Sequence, residues 1–473
     1  MGKDLFKIEK IFSISEQYSF SSISGDYNPL HIDKKFSRRS LFGEPVVHGI
    51  NSLMWCLDSL MKQYPDKGIK KIETWFLQPI LLDKPIIASF ALDSSKNIRV
   101  TITSEAEVLA IFEISLCNKI SLVSKSSIPK IPPPKLPCEE INLTKLNYNK
   151  KKLNIFYPEE NIITLYPNLL NPDLSGVFAV IISASKLVGM ECPGLNSLFT
   201  RFSIDFVDIP HEDHYHYKID NFNKRFGLFR LKLLSNSFSG SIEAFVRPKT
   251  FPSTNFSEVK KLVSPNEFKE KFSLIIGGSR GLGETTSKII SAGGGRTFLT
   301  YHQGEDDVKK VVEQIRKHGH KSDFYKFDIN NQEINLPDED ITDIFYFASP
   351  RIRANNSSVF NYSLYQEYKK YFLDFPRRLF LEARKKYNKN LLIFYPSSIF
   401  LSEKPLNFAE YIKAKKEGEL MCKKINDSYS DISVFYPRLP PMKTDQTQSL
   451  TAKKLDNPLT ILLSSLRNQN QYL

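Results

Sequence analysis

Two long stretches of this chain repeat one order, an apolar helix followed by several strand-like runs, and the remainder alternates strand with helix. In the first stretch Val47, Ile50, Leu53, Met54, Leu57, Leu60 and Met61 recur at three- and four-residue steps, the period of a helix with one buried face. Strand-like runs follow at 72–80, 85–92, 98–102 and 108–116. That order predicts a curved antiparallel sheet wrapped on a buried helix. The second stretch has an apolar helix over about 175–190, a stop at Pro193-Gly194, and strands near 198–207, 214–219, 226–234 and 239–246. From Phe272 onward, apolar strands at 272–276, 297–301, 324–327, 344–348, 391–395 and 432–436 are separated by helical segments, which predicts a doubly wound parallel sheet. The stretch 457–466 reads as a terminal helix.

A chain of 473 residues exceeds one core, since single cores stop growing at roughly 250–300 residues. Two proline-bearing segments mark the breaks. Ser127 to Pro137 carries five prolines, which remove amide donors and favour an extended spacer, and a polar stretch holds Pro248, Pro252 and Pro265. The expected organisation is therefore a domain over 1–122, a linker over 123–140, a second domain over 141–250 and a third over 269–473.

With 41% hydrophobic and 25% charged residues the chain is too apolar to be disordered, and it has no apolar run of membrane-spanning length. Its first residues have neither a signal peptide's apolar segment nor a myristoylation motif, so a soluble cytoplasmic protein is expected. Cys56, Cys117, Cys138, Cys192 and Cys422 are odd in number and form no CxxC pair, so neither disulfides nor a zinc site is signalled. Of the net charge of +13, +8 falls within 251–473. Its basic clusters, Arg377-Arg378 and Arg384-Lys385-Lys386, have no nucleic-acid-binding motif around them, so an acidic protein or an anionic cofactor suits this surface better than nucleic acid.

The segment Ser24-Gly-Asp-Tyr-Asn-Pro-Leu-His-Ile-Asp33, followed by Phe42-Gly-Glu-Pro-Val-Val-His-Gly49, places Asp26 and His31 in one Gly/Pro-shaped turn ahead of the buried helix. A carboxylate and an imidazole so placed can hold a water between them and divide acid and base work. As bare residues they read more readily as a turn cap and a satisfied histidine. The full string closely resembles the signature of the MaoC-like dehydratases, the (R)-specific enoyl-CoA hydratases with a hot-dog fold. That resemblance implies that Asp26 and His31 activate water for reversible syn hydration of a trans-2-enoyl thioester. It further implies that Asn28 orients the pair and that Gly49, at the helix start, binds the thioester oxygen. His48 reads as a cap of that helix. The second stretch departs from the pattern: Asn168 to Gly176 stands at the corresponding place, and no histidine occurs from Lys151 to Pro210. The resemblance thus implies an α+β double hot-dog whose second repeat is degenerate and completes the first. His211, His214 and His216 are read as a solvated edge and not a metal site; no metal is expected.

In the last third, Gly277-Gly-Ser-Arg-Gly-Leu-Gly283 follows a strand and opens a helix, where glycines let backbone approach a pyrophosphate held by the helix N-terminus. Ser398, Tyr411 and Lys415 follow, with Tyr411 and Lys415 one helical turn apart, so that the ammonium is expected to lower the phenol pKa. Together these strongly resemble the short-chain dehydrogenase/reductases, specifically the 3-ketoacyl-thioester reductases, over roughly 270–450. The resemblance implies a Rossmann-type α/β domain. Gly277, Ser279, Arg280, Gly281, Leu282, Gly283, Asp328, Tyr411 and Lys415 are the residues that would bind the cofactor, and Ser398, Tyr411 and Lys415 would be catalytic. No acid closes the second strand at Thr300-Tyr301-His302, and Arg280 could meet a 2′-phosphate, which favours NADPH over NADH. The match departs at Tyr346-Phe-Ala-Ser349 and lacks the family's catalytic Asn in the helix from Tyr368 to Leu379.

The two resemblances form one reaction sequence: NADPH-dependent reduction of a 3-ketoacyl thioester to the (R)-3-hydroxyacyl thioester, then dehydration to the trans-2-enoyl thioester, on acyl carrier protein or CoA. A homo-oligomer through the reductase domain is a further expectation. Two alternatives stand beside it: a hydratase fused to a reductase-like scaffold, and a reductase of another carbonyl whose hot-dogs bind thioesters.

Overall fold

The computed structural model describes residues 3–469 except 106, 119–127, 132–134, 210, 332, 356–358, 388–389 and 450–453. The chain up to Thr250 forms one compact unit, and Phe251 to Gln448 with the C-terminal helix forms another.

The first unit begins with a strand that sequence patterning missed, β1 (Lys3–Ile11), followed by the helices α1 (Ile14–Ser24), α2 (Pro29–Ile32), α3 (Lys34–Arg38) and α4 (Gly49–Gln63). Four strands follow, β2 (Lys67–Phe76), β3 (Pro85–Leu92), β4 (Ile98–Ser104) and β5 (Glu107–Asn118). The second half repeats the plan with β6 (Lys151–Asn154), α5 (Glu159–Leu165), α6 (Ser175–Lys186), β7 (Ser197–Phe206), β8 (His214–Asn223), β9 (Leu228–Leu234) and β10 (Phe238–Val246). Helix α6 runs into one π-helical turn, Leu187–Glu191.

All ten strands join in one sheet, ordered β1-β3-β4-β5-β2-β7-β10-β9-β8-β6. Outward from the centre, the first half reads β2, β5, β4, β3, β1 and the second reads β7, β10, β9, β8, β6, which is the same path traced from either side of one seam. That seam is an antiparallel pairing of β2 with β7 in which Thr74 stands opposite Phe202, whose amide also donates to the Thr74 hydroxyl at 3.1 Å. A single core runs through both halves. Helix α6 is buried at every residue from Ser175 to Ser185, as an all-round apolar helix must be. The 123–140 segment is held to the rest of the unit where it is described. Its Glu139 amide donates to Met190 O at 2.8 Å, its Glu139 carbonyl accepts from the Leu195 amide, and Ile128 is buried.

The second unit opens with α7 (Phe256–Leu262) and then alternates β11 (Phe272–Ile276), α8 (Gly281–Ala292), β12 (Arg296–Tyr301), α9 (Glu305–Lys317), β13 (Ser322–Lys326) and β14 (Asp343–Tyr346). Next come α10 (Tyr362–Lys369), a π turn at Lys370–Asp374, α11 (Phe375–Tyr387) and β15 (Leu391–Phe394). The unit closes with β16 (Ser397–Ser398), α12 (Phe400–Glu403), α13 (Ala409–Ser428), β17 (Ile432–Phe435), β18 (Arg438–Leu439) and α14 (Pro458–Gln469). The six main strands are parallel in the order β13-β12-β11-β14-β15-β17, the doubly wound arrangement with its reversal between β11 and β14. In such sheets ligands bind beyond the carboxyl ends of the strands at that reversal.

Candidate functional site

Helix α1 is opened by a Ser13–Glu16 capping box and closed at Gly25, whose φ of +74° is a left-handed conformation that suits glycine. The chain therefore turns sharply into Asp26. Asn28 caps α2 by accepting the Leu30 amide at 3.1 Å, and Pro29 takes the first helical position, which sets His31 within that short helix. The turn is buried, with Asp26 2% exposed.

The dyad's partners come from three directions. His31 Nδ1 donates to the Val46 carbonyl at 2.8 Å, which leaves Nε2 as the free base nitrogen. Its ring stacks on His48 at 3.8 Å between centroids. His48 does stand at the cap position of α4, but its side chain makes no capping bond. It faces Gln17 Oε1 at 2.9 Å and Asp26 O at 3.2 Å instead. The second half supplies the rest. Ser185 of α6 donates to Asp26 Oδ2 at 2.7 Å, and Asn28 Nδ2 donates to Gly189 O at 2.8 Å. A Cβ on Gly189 would lie 2.2 Å from Asp26 Oδ1, so the π turn approaches the carboxylate as closely as backbone can.

One carboxylate oxygen of Asp26 and one ring nitrogen each of His31 and His48 lie within 4.8 Å of one another. A metal ion would find His31 Nδ1 and both His48 nitrogens already facing Val46, Gln17 and Asp26. Burial raises Asp26 to about 7 against the opposing hydrogen bonds from Ser185 and Asn28. Burial likewise lowers His31 to about 4. Between about pH 4 and 7 the carboxyl thus favours its protonated form and the imidazole its neutral one: an acid and a base side by side. Gly49 begins α4, where the first amides of a helix have no partner within it, and lies against the Phe76 ring. His211 and His214 diverge, to Ser237 Oγ at 2.8 Å and Asp213 at 2.7 Å; among the described residues no convergent ligand group includes them or His216.

In the second unit, Gly277 (φ +83°) and Gly281 (φ +59°) bend the loop between β11 and α8. A Cβ on Gly283 would meet Gly277 O at 2.2 Å, so the helix start packs directly on the turn. Ser279 and Leu282 lie on this same loop and helix start. Arg280 forms an ion pair with Asp445 at 3.2 Å. Asp328 accepts from the Asn330 amide at 2.9 Å and faces His302 at 3.3 Å.

Ser398 on β16 hydrogen-bonds Tyr411 on α13, bringing together the two residues expected to meet. Lys415 lies 5.9 Å from the Tyr411 ring, but its ammonium is engaged elsewhere. Its ammonium donates to Pro396 O at 2.7 Å and sits 4.0 Å from the Phe372 ring and 4.9 Å from that of Tyr395. The Tyr411 phenol is consequently not lowered. Burial pushes it up to about 12, countered only by the Ser398 hydrogen bond, while burial lowers Lys415 to about 7. Phe372 lies in the π turn of the 368–379 stretch, which has no counterpart of the family's Asn, and its carbonyl accepts the Tyr395 hydroxyl at 2.8 Å.

Residues 9–113 match the family model described as the MaoC like domain. This part of the chain is a MaoC-like domain. Over 62 residues the chain is 36% identical to the (R)-specific enoyl-CoA hydratase of Aeromonas caviae, which is 13% of this chain and 46% of that protein, less than half its length. Similar solved structures include a short chain dehydrogenase from Shigella flexneri (16% identity, 44% of this chain and 87% of that one, TM-score 0.39). Another is a 3-oxoacyl (acyl-carrier-protein) reductase from Agrobacterium tumefaciens C58 with NADP bound (15%, 42% and 88%, TM-score 0.37). Around the MaoC-like domain's dyad, sequence reasoning missed Gln17, Ser185 and Gly189. Gln17 had no motif to announce it, and the other two lie far along the chain, where only the fold brings them to Asp26. Among the described residues no helix is long and apolar enough to cross a membrane.

Proposed function

We propose that the Asp26–His31 site hydrates trans-2-enoyl thioesters and, in reverse, dehydrates (R)-3-hydroxyacyl thioesters. The observation that carries this is the convergence of a buried carboxyl and a half-buried imidazole with His48, one polar atom of each within 4.8 Å of the others. The burial that shifts Asp26 up to about 7 and His31 down to about 4 agrees with it. In the hydration direction His31 Nε2 takes a proton from water, the resulting hydroxide oxygen bonds to the β-carbon, and Asp26 gives its proton to the α-carbon. Asn28 holds the turn, and the Gly49 amide polarises the thioester oxygen. We read the first unit as two hot-dog repeats, of which the second has lost the dyad and walls the first.

For the second unit we propose NADPH-dependent reduction of 3-ketoacyl thioesters to (R)-3-hydroxyacyl thioesters, with CoA or acyl carrier protein as carrier. The loop fits a dinucleotide: two left-handed glycines and the close approach at Gly283 leave backbone where a pyrophosphate needs it. Gly277, Ser279, Arg280, Gly281, Leu282 and Gly283 would hold it, with Asp328 toward the adenine and Lys415 toward the ribose. Arg280 would share its charge between Asp445 and a 2′-phosphate. When bound, the cofactor supplies a hydride to the carbonyl carbon. Tyr411 protonates the carbonyl oxygen and Ser398 hydrogen-bonds it.

A second reading, a reductase-like unit that binds or scaffolds without turnover, is favoured by the Lys415 ammonium lying against Phe372 and Tyr395. Supplying a 3-ketobutyryl thioester with NADPH, while following cofactor oxidation and enoyl formation together, separates the readings. Both signals are expected. Hydration of a crotonyl thioester without any cofactor oxidation would leave the scaffold, and no thioester chemistry at all would overturn the proposal.

A further inference from the structure

Arg247 follows β10 and belongs to the half of the first unit that lacks the dyad, yet it faces the dyad's surroundings. Its amide donates to Asn196 O and its Nη2 donates to Leu195 O at 2.7 Å, the same carbonyl that Asn28 Nδ2 approaches at 3.4 Å. The guanidinium lies 5.2 Å from the ring of Phe36, on α3 just after His31. Arg247 is 3% exposed, its Nε is buried with no hydrogen-bond partner, and among the described residues no carboxylate pairs with it. Among the described residues, buried Lys288 meets Glu284, whereas buried Lys415 meets only the Pro396 carbonyl and aromatic rings.

A guanidinium taken out of water without a counter-charge is costly, and a methionine of similar reach would pack against Phe36 without that cost. A retained charge needs an anion to meet it. Arg247 is lowered by burial to about 10, so it stays charged at neutral pH, and its charge reaches His31 and Cys138. The free Nε and the planar fork suit two oxygens of one oxyanion.

We propose that Arg247 is an anion-binding residue of the thioester site, taking the carboxylate or phosphate oxygens of an acidic acyl thioester. This rests on the thioester reading above. A carboxylate at the end of the acyl group and a phosphate on the carrier arm offer the same chemistry, and a neutral acyl group on bare pantetheine offers neither.

The test is calorimetric binding of three saturated thioesters to the full chain: butyryl-pantetheine, succinyl-pantetheine and butyryl-CoA. Wild type should bind at least one of the two anionic probes roughly tenfold or more tighter than butyryl-pantetheine, from a charge-assisted hydrogen bond. Preference for succinyl-pantetheine assigns the acyl carboxylate, and preference for butyryl-CoA assigns the phosphates. Arg247→Met should abolish the preference while leaving butyryl-pantetheine binding within about threefold, and Arg247→Lys should keep part of it. Equal wild-type binding of all three, which needs no variant to fold, would overturn the proposal. So would an Arg247→Met variant that weakens all three alike. Because these probes cannot be hydrated, Arg247-dependent binding in a chain that hydrates nothing would sink the hydratase reading and spare this one.

Discussion

Asp26 and His31 share one buried turn and are displaced in opposite directions by the same physical cause, lost solvation of the charged form. The productive state carries a single proton between them. Hydration should therefore rise with pH through about 4 and fall through about 7. Ser185 lowers Asp26 by its hydrogen bond, so Ser185→Ala should move the falling limb to higher pH, and an unmoved limb would remove Ser185 from the site. The same shifts act on stability. Between its unfolded value near 3.8 and about 7, the folded state keeps the Asp26 proton that the unfolded chain releases, so this group's contribution to stability falls as pH rises through that window. His31, neutral when folded and protonated below 6.5 when unfolded, contributes the reverse between about 4 and 6.5. Asp26→Asn removes the first contribution alone. Its Tm relative to wild type should climb from about pH 5 to about pH 8, where about 1 kcal/mol moves Tm by roughly 2–4 °C. A flat difference in thermal scans would mean that Asp26 is not held protonated.

At the scale of elements, two π turns decide what each unit can do. The Leu187–Glu191 turn ends α6 with Gly189 against the Asp26 carboxylate. Gly189→Ala would push that carboxylate aside, and misplacement of this size costs about 10²-fold in rate. Crotonyl-thioester hydration should fall accordingly with NADPH binding unchanged, and wild-type hydration would contradict the arrangement. The Lys370–Asp374 turn puts Phe372 against Lys415. If the reductase is active, Tyr411→Phe should abolish ketone reduction while cofactor binding persists; reduction at the wild-type rate would exclude Tyr411 as proton donor. Strands and helices with a clear period, such as 85–92 and 272–276, were legible because periodicity records burial directly. Strand β1 was not, since its alternation of lysines with Leu5, Phe6 and Ile8 is only half-buried. The aromatic surroundings of Lys415 were equally hidden, because Phe372, Tyr395 and Pro396 carry no motif and meet only through packing.

For the whole molecule, the first site is assembled from both halves of one ten-stranded sheet. Asp26, His31 and Asn28 were legible because they lie in one continuous string, whereas Ser185, Gly189 and Arg247 were not, because the β2–β7 seam and the shared core bring them in from afar. A fragment of residues 1–122 would expose β2 as an open edge and lose Ser185, so it should aggregate or fail to hydrate, while 1–250 should fold and hydrate without the second unit. A monomeric, fully active 1–122 fragment would show that the second half has another role. The most direct measurement for the account is crotonyl-thioester hydration by the full chain carrying Asp26→Asn or His31→Ala. Each should lower the rate by roughly 10²–10⁴-fold with NADPH binding intact. Wild-type hydration in both variants would contradict the assignment of the dyad.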